Sequence, residues 1–442
     1  MDHHFPRYHV RPPSGYVNDP NGPVRLNDRW HLFFQYVSDT VRHGAVVWGH
    51  ATSDDLATWR LHRPALSPDP EGIDRDGCWS GNVVAHDGDL IAFYSGFRRE
   101  HPYQSVLAAR SSDGGQSFGP AWEAVPDPDP AEGVVTLRDP FVWQDGDIWL
   151  MVVGAGDSSG LASTRLYTSP DLETWTYRGH YASMARAESP QFAIGEMWEC
   201  PQVMSFGDRD ALLVGTWGPG SNSEVLALTG VRADLALQTP HISRVDFGPN
   251  FYAASAMRGD PPIVWGWVTE GRSGDWTVEA DWSGMLSLPR TMSLTADGRL
   301  ASTPHPALDS LRKHTLDGDF GAQFEVEMSL HDHGAPTVLS LRCGAEEHLD
   351  ITVDWAAGRV SIDRDHASSD LRAHGGVHSF EDPEIQSGTL GMRWFVDGSV
   401  SELFTRSGYS STLRFYATEA PPWTLTTSGL AADDAITTWA LT

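Results

Sequence analysis

Three near-copies constrain this chain more than any other feature. Ser53-Asp54-Asp55-Leu56-Ala57-Thr58-Trp59 is followed by Ser111-Ser112-Asp113-Gly114-Gly115-Gln116-Ser117-Phe118 and by Ser169-Pro170-Asp171-Leu172-Glu173-Thr174-Trp175. From Ser53 to Ser111, and again from Ser111 to Ser169, the step is 58 residues. A fixed period this long marks an array of supersecondary units. Five segments share a second layout: apolar strand, Asp/Gly turn, apolar strand. They begin at Asn18-Asp19-Pro20, Trp79-Ser80-Gly81, Arg138-Asp139-Pro140, Glu199-Cys200-Pro201 and Tyr252-Ala253-Ala254. Their turns are Asn27-Asp28, Asp87-Gly88-Asp89, Asp145-Gly146-Asp147, Gly207-Asp208 and Gly259-Asp260. Short strands exclude helical repeats, so the pattern predicts an all-β chain whose first part is a five-bladed β-propeller. The period exceeds the roughly 40–50 residues of common blades, which leaves room for long loops.

In a propeller the strands run around a central channel. Asp19, Asp139 and Glu199 start the leading strands of blades one, three and four. Equivalent places in a radial array face one axis, so three carboxyl groups are expected in one pocket. Taken alone, Pro20-Asn21-Gly22 is a turn and Asp19 a turn carboxylate bonding its own backbone. The recurrence of the layout is what argues otherwise. Arg138 beside Asp139 is expected to keep that carboxylate ionised. Glu199 lies between Trp198 and Cys200, and burial there raises a carboxyl pKa, which makes Glu199 the expected proton donor.

The pattern changes after Leu286-Ser287-Leu288-Pro289-Arg290. The division expected is a propeller over residues 1–302, a linker with one short helix over 303–318, and a β-sandwich over 319–442. Period-2 strands such as Gln323-Phe324-Glu325-Val326-Glu327-Met328 and Leu349-Asp350-Ile351-Thr352-Val353 mark the sandwich, which offers no catalytic constellation. Residues 1–14 read as an extended lead-in that closes the ring by pairing with the last blade.

A net charge of −28 argues against nucleic acid or an anionic membrane as partner. Cys78, Cys200 and Cys343 form neither a disulfide framework nor a metal-ligand spacing, so neither metal nor cofactor is expected. His50 has no second histidine at ligand spacing and reads as structural. Most of the 18 tryptophans are blade core. The charged insert at 98–103 is placed at the pocket rim. No apolar stretch precedes Asp19 as a signal peptide would, and no apolar run reaches membrane length, so a cytoplasmic location is expected.

Three acids and an arginine around a polar pocket suit glycoside hydrolysis, in which one carboxylate attacks and a second carboxyl group protonates the leaving oxygen. The chain resembles glycoside hydrolase family 32, the invertase, levanase and inulinase type of β-fructosidase. Asn18-Asp19-Pro20-Asn21-Gly22, Arg138-Asp139-Pro140 and Glu199-Cys200-Pro201 resemble that family's three acidic motifs. Phe33-Phe34-Gln35-Tyr36, Trp48-Gly49-His50-Ala51, Trp79-Ser80-Gly81, Leu288-Pro289-Arg290 and, in the second domain, Phe395-Val396-Asp397-Gly398-Ser399-Val400-Ser401-Glu402-Leu403-Phe404 also match its patterns.

The resemblance implies a retaining β-fructofuranosidase acting on terminal non-reducing β-D-fructofuranosides such as sucrose, fructo-oligosaccharides and short inulin- or levan-type chains. It implies Asp19 as nucleophile, Glu199 as acid/base and Asp139 as transition-state stabiliser. Asn18, Gln35, Trp48, Trp79, Ser80, Arg138, Tyr252 and Trp267 would line the fructose subsite. Tyr16-Val17 and Asn82-Val83 depart from the family pattern near the leaving-group side, which leaves the substrate open. A difructose anhydride hydrolase, a fructosyltransferase, a related arabinose- or xylose-acting propeller and a non-catalytic carbohydrate-binding propeller are the alternatives. The partner expected is a small carbohydrate, and the chain is expected as a monomer or homodimer.

Overall fold

The computed structural model describes residues 2–101 and 103–442. Strands dominate it. The one α-helix among the described residues, Gly274–Ala280, is capped by the Ser273 hydroxyl, which accepts a bond from the Trp276 amide.

Five antiparallel sheets follow one another along residues 15–304. The first holds Gly15–Leu26, Arg29–Val37, Val47–Ser53 and Arg60–Leu61, and the second Gly77–His86, Asp89–Phe97, Ser105–Ser111 and Trp122–Val125. The third holds Val134–Asp145, Ile148–Asp157, Leu161–Ser169 and Thr176–Ala185, and the fourth Met197–Phe206, Arg209–Trp217, Val225–Ala233 and Ala236–Arg244. The fifth uses Phe251–Met257, Ile263–Val268, Arg290–Leu294 and Leu300–Pro304. Their hairpins fall where the sequence places them. Asn27 and Asp28 take φ values of 49° and 61°, the positive values that a tight two-residue hairpin turn requires.

First strands of successive sheets lie side by side, and Phe251–Met257 also touches Gly15–Leu26. Apolar side chains fill the gaps between neighbouring sheets. Phe33 and Trp48 of the first sheet pack with Leu90 and Tyr94 of the second. Val17 and Phe34 of the first pack with Trp265 of the fifth. The lead-in meets the fifth sheet's connection: Leu286 N–H donates to the Val10 carbonyl at 3.0 Å, and Gly15–Leu26 runs parallel to Trp282–Ser283.

The near-copies are one device used three times. Each closes the end of a third strand with side-chain caps. The Ser53 hydroxyl accepts from Leu56 N–H at 2.8 Å and Asp55 accepts from Thr58 N–H at 2.7 Å. Ser111 and Asp113 repeat this with Gly115 and Gln116, and Ser169 and Asp171 with Leu172 and Thr174. The aromatic ring that follows reaches back to the second strand of the preceding sheet. Trp175 meets Phe93 edge-on at 5.7 Å, Phe118 meets Phe33 at 5.6 Å, and Trp59 meets Trp265 at 6.1 Å.

Each first strand carries a register shift at a matching point, where two residues oppose one across the hairpin. The bulged pairs are Asn18-Asp19, Trp79-Ser80, Asp139-Pro140, Cys200-Pro201 and Ala253-Ala254. Asp139, Cys200 and Ala253 have positive φ there. This corrects the expectation that the three acids hold equivalent places. Glu199 precedes its bulge, Asp139 opens one and Asp19 closes one. A bulge bends the strand and re-aims side chains, so successive residues face one side rather than alternating.

Beyond the fifth sheet, two six-stranded sheets pack face to face around Phe324, Leu341, Ile351 and Trp394. The segment at 303–318, expected as a linker, contains the end of Leu300–Pro304, a 3-10 turn at Pro306–Leu311, and Arg312–Thr315, which pairs with Ala435–Leu441. The sandwich is bound to the five-sheet region by a buried charge network. Arg290 pairs with Asp246 at 2.8 Å and with Glu402 at 2.6 Å. His9 bridges Glu402 at 3.0 Å and Asp397 at 2.9 Å.

Candidate active site

The bulges open onto one cavity of about 500 Å³. Ten of the eleven candidate residues line it: Asn18, Asp19, Gln35, Trp79, Ser80, Arg138, Asp139, Glu199, Tyr252 and Trp267. Trp48 does not. It is fully buried between the first two sheets, and its indole N–H donates to the Trp79 carbonyl at 3.1 Å, so it supports the strand behind the site. His50 is buried in a stack with Phe33 and His62, where burial lowers its pKa to about 3. Within the insert at 98–103, Pro102 lies outside the described residues; Gln104, just beyond it, lines the cavity.

Asp19 is held by a relay. Asn18 Nδ2 donates to Gln35 Oε1 at 2.8 Å and orients that amide. Gln35 Nε2 then donates to the Ser80 hydroxyl, which donates to Asp19 Oδ2. Asn18 also reaches Asp19 Oδ1 at 3.2 Å. Asp19 is half-buried in the cavity wall. Burial, with the charges of Asp139 and Glu199 added, raises its pKa to about 7, against the Ser80 hydrogen bond.

Asp139 sits deeper. It accepts from Cys200 N–H at 2.9 Å and from the Ser95 hydroxyl at 3.3 Å, while its own N–H donates to Ser95 Oγ at 2.7 Å. Burial raises its pKa to about 6, although Arg138 pulls it down. The Cys200 thiol stands between the two acids, 3.5 Å from Asp19 Oδ2 and 3.7 Å from Asp139 Oδ2. Burial pushes the thiol well above its usual range, so it stays protonated as a weak donor.

Glu199 occupies the other wall. Arg138 donates to its Oε1 through Nε at 3.0 Å and Nη2 at 2.7 Å, and the Tyr252 hydroxyl donates to Oε2 at 2.7 Å. The same hydroxyl lies 2.9 Å from the Thr216 carbonyl. This differs from the expected charge pattern on two counts. The guanidinium expected to act on Asp139 makes its hydrogen bonds to Glu199, and burial raises the pKa of Asp19 and of Asp139. The reason is packing: the hydrogen bonds to Asp19 and Asp139 come from neutral groups, whereas Glu199 receives two from a cation.

Five further residues line the cavity: Tyr16, His43, Gln104, Thr136 and Trp217. Ser95 and Cys200 reach the acids from neighbouring sheets without a motif that marks such contacts. Trp217 ends a second strand, and its place there is visible only once the strand is laid beside Glu199. Among the described residues, His331, Asp433 and Asp434 bring metal-ligand atoms together in the sandwich, but Asp434 already accepts from His331 N–H at 2.7 Å and Ala431 N–H at 2.8 Å.

Carboxyl groups with separate partners on the floor of an open cavity are the equipment of a glycoside hydrolase. The chain belongs to glycosyl hydrolases family 32: the family's N-terminal domain matches residues 9–304 and its C-terminal domain residues 296–435. It is 30% identical to a sucrose-6-phosphate hydrolase of Escherichia coli over 91% of this chain and 87% of that one. It is 31% identical to a raffinose invertase of Escherichia coli with the same coverage. In fold it resembles a sucrose-6-phosphate hydrolase from Lactobacillus gasseri, with a TM-score of 0.86 and 23% identity over 100% of this chain and 94% of that one. It likewise resembles a Bombyx mori beta-fructofuranosidase, with a TM-score of 0.83 and 24% identity over the same shares.

Proposed function

We propose that this protein is a retaining β-fructofuranosidase that removes terminal fructose from short fructosides by double displacement. The observation that carries this reading is the separation of partners among the three acids: a hydroxyl and amide relay on Asp19, backbone and Ser95 on Asp139, a cation and a phenol on Glu199. Asp19 is the nucleophile. Ser80 and Gln35 hold its Oδ2, and Asn18 its Oδ1, so the attacking oxygen is oriented before substrate arrives. Glu199 is the acid/base. In the free site Arg138 holds its Oε1 and Tyr252 its Oε2. A fructosyl ring competes for Arg138, which frees a Glu199 oxygen to face the leaving oxygen that it protonates. Asp139 accepts hydrogen bonds from fructose hydroxyls as positive charge develops at the anomeric carbon.

The family match, the relatives' names and the five neighbouring sheets support a substrate of the sucrose type on a closed five-bladed propeller with an appended sandwich. A product profile with sucrose, short fructans, levan, inulin and difructose anhydrides tests this. Free fructose from sucrose and short oligomers is expected, with Asp19→Asn and Glu199→Gln each lowering kcat by at least about a thousandfold while the fold is kept. New oligosaccharides without free fructose would place the protein among transferases. Binding of fructosides without turnover would make it a carbohydrate-binding propeller.

A further inference from the structure

We propose that Trp217 is the platform on which the leaving group stacks, and that it takes an uncharged sugar ring. This deepens the β-fructosidase reading above and rests on it. Trp217 is 43% exposed and lines the cavity, whereas Trp48 of the first sheet and Trp198 of the fourth are fully buried. An open indole face in a polar cavity offers apolar area to the face of a sugar ring. Its position is built in. The Trp217 carbonyl accepts from Glu196 N–H at 3.0 Å, and Gly195, with φ of 70°, leaves room for it; a Cβ there would stand 2.3 Å from the Trp217 carbonyl oxygen.

Arg138 assigns the platform its side. Its guanidinium lies 4.8 Å from the centre of the Trp217 ring and donates to Glu199 at the same time. The proton donor must reach the oxygen that departs with the leaving group, so the ring tied to the same guanidinium borders that group. Tyr16 and Trp267, edge to face at 6.0 Å, stand instead with the strand that carries Asp19.

Charge argues for a neutral ring. Arg138 is the one Lys or Arg among the described residues of the cavity wall, and Glu199 engages it; the wall also carries Asp19 and Asp139. A phosphate placed there would face carboxylates at short range, a repulsion that a partly enclosed site strengthens. Arg186 packs against Gly220, beyond Trp217, and is not part of the wall.

The test compares initial rates on sucrose and sucrose 6-phosphate, and inhibition by free fructose, for wild type, Trp217→Ala and Trp217→Phe. Trp217→Ala is expected to raise KM for sucrose about tenfold. The fructose inhibition constant should stay within twofold or so, because fructose needs only the fructosyl subsite, and Trp217→Phe should restore most of the affinity. Wild type should prefer sucrose over sucrose 6-phosphate in kcat/KM. A parallel rise in KM and in the fructose constant, or no change in either, would overturn the platform. A preference for the phosphate that disappears in Arg186→Ala would overturn the neutral ring. Wild-type protein that releases no fructose from either substrate overturns the β-fructosidase reading and this proposal with it.

Discussion

Asp19, the proposed nucleophile, would serve chemistry at the expense of stability. Its pKa of about 7 in the folded chain stands above the ordinary 3.8 because burial outweighs the Ser80 hydrogen bond. The attack proposed for Asp19 requires its ionised form, so kcat/KM is expected to fall as pH drops below about 7, with the limb read from a pH–rate profile. Stability runs the other way. A carboxyl group whose folded pKa is raised contributes stability that is complete below pH 3.8 and is lost as pH rises through about 7. Asp19→Asn is therefore expected to melt about 2–4 °C above wild type at pH 8 and level with it near pH 4. An equal difference at both pH values, by calorimetry, would remove burial of charge as the cause. Asp19, Asp139 and Glu199 were legible in the sequence because each lies in a short motif at a recurring turn. Ser95 and Cys200 were not, because their contacts cross between sheets and leave no local pattern. Trp48 shares a motif with its neighbours, yet its ring points into the gap between sheets.

At the scale of elements, the 58-residue period is the trace of a contact made once in each of the first three sheets. Trp175, Phe118 and Trp59 each leave a capped turn and pack on the second strand of the preceding sheet. The serine and aspartate caps fix the turn, and the turn aims the ring. Trp175→Ala is expected to cost about 2–4 kcal/mol, because it empties a contact between two sheets. Trp217→Ala, at an open indole, should leave the urea midpoint nearly unchanged. Equal losses in the two variants would show that Trp175 does not join the sheets. The bulges were not legible. They depend on how many residues face each other across a hairpin, which no single strand records, and so the sequence reading set the three acids at equivalent places where the structure puts them one step out of phase.

For the whole molecule, the matched stretches around Leu288-Pro289-Arg290 and Asp397 meet at the junction of the two regions. Arg290, Asp246 and Glu402 are almost wholly buried, and Leu288 N–H donates to Glu402 at 2.8 Å. Breaking such a network leaves an unpaired buried charge, so Glu402→Gln is expected to lose about 3–5 kcal/mol, seen as a lower Tm. His9 adds a pH dependence. Its carboxylate partners raise its pKa above 6.5 against burial. Its contribution is complete below pH 6.5 and is lost as pH rises through the raised value. The Tm gap between wild type and His9→Gln should shrink in alkali, and a gap independent of pH would show that the imidazole acts by packing alone.

The sequence by itself determined the strand and turn pattern, the recurrence of units and the identity of the acids, because hydrophobic alternation and turn chemistry are local. Only the tertiary structure decided which acid meets the arginine, which acids lose water, and which tryptophan stands open beside Glu199. Those outcomes depend on distances between residues more than 50 positions apart in the chain, such as Arg138 and Glu199, and on the solvent each side chain keeps once the sheets are packed.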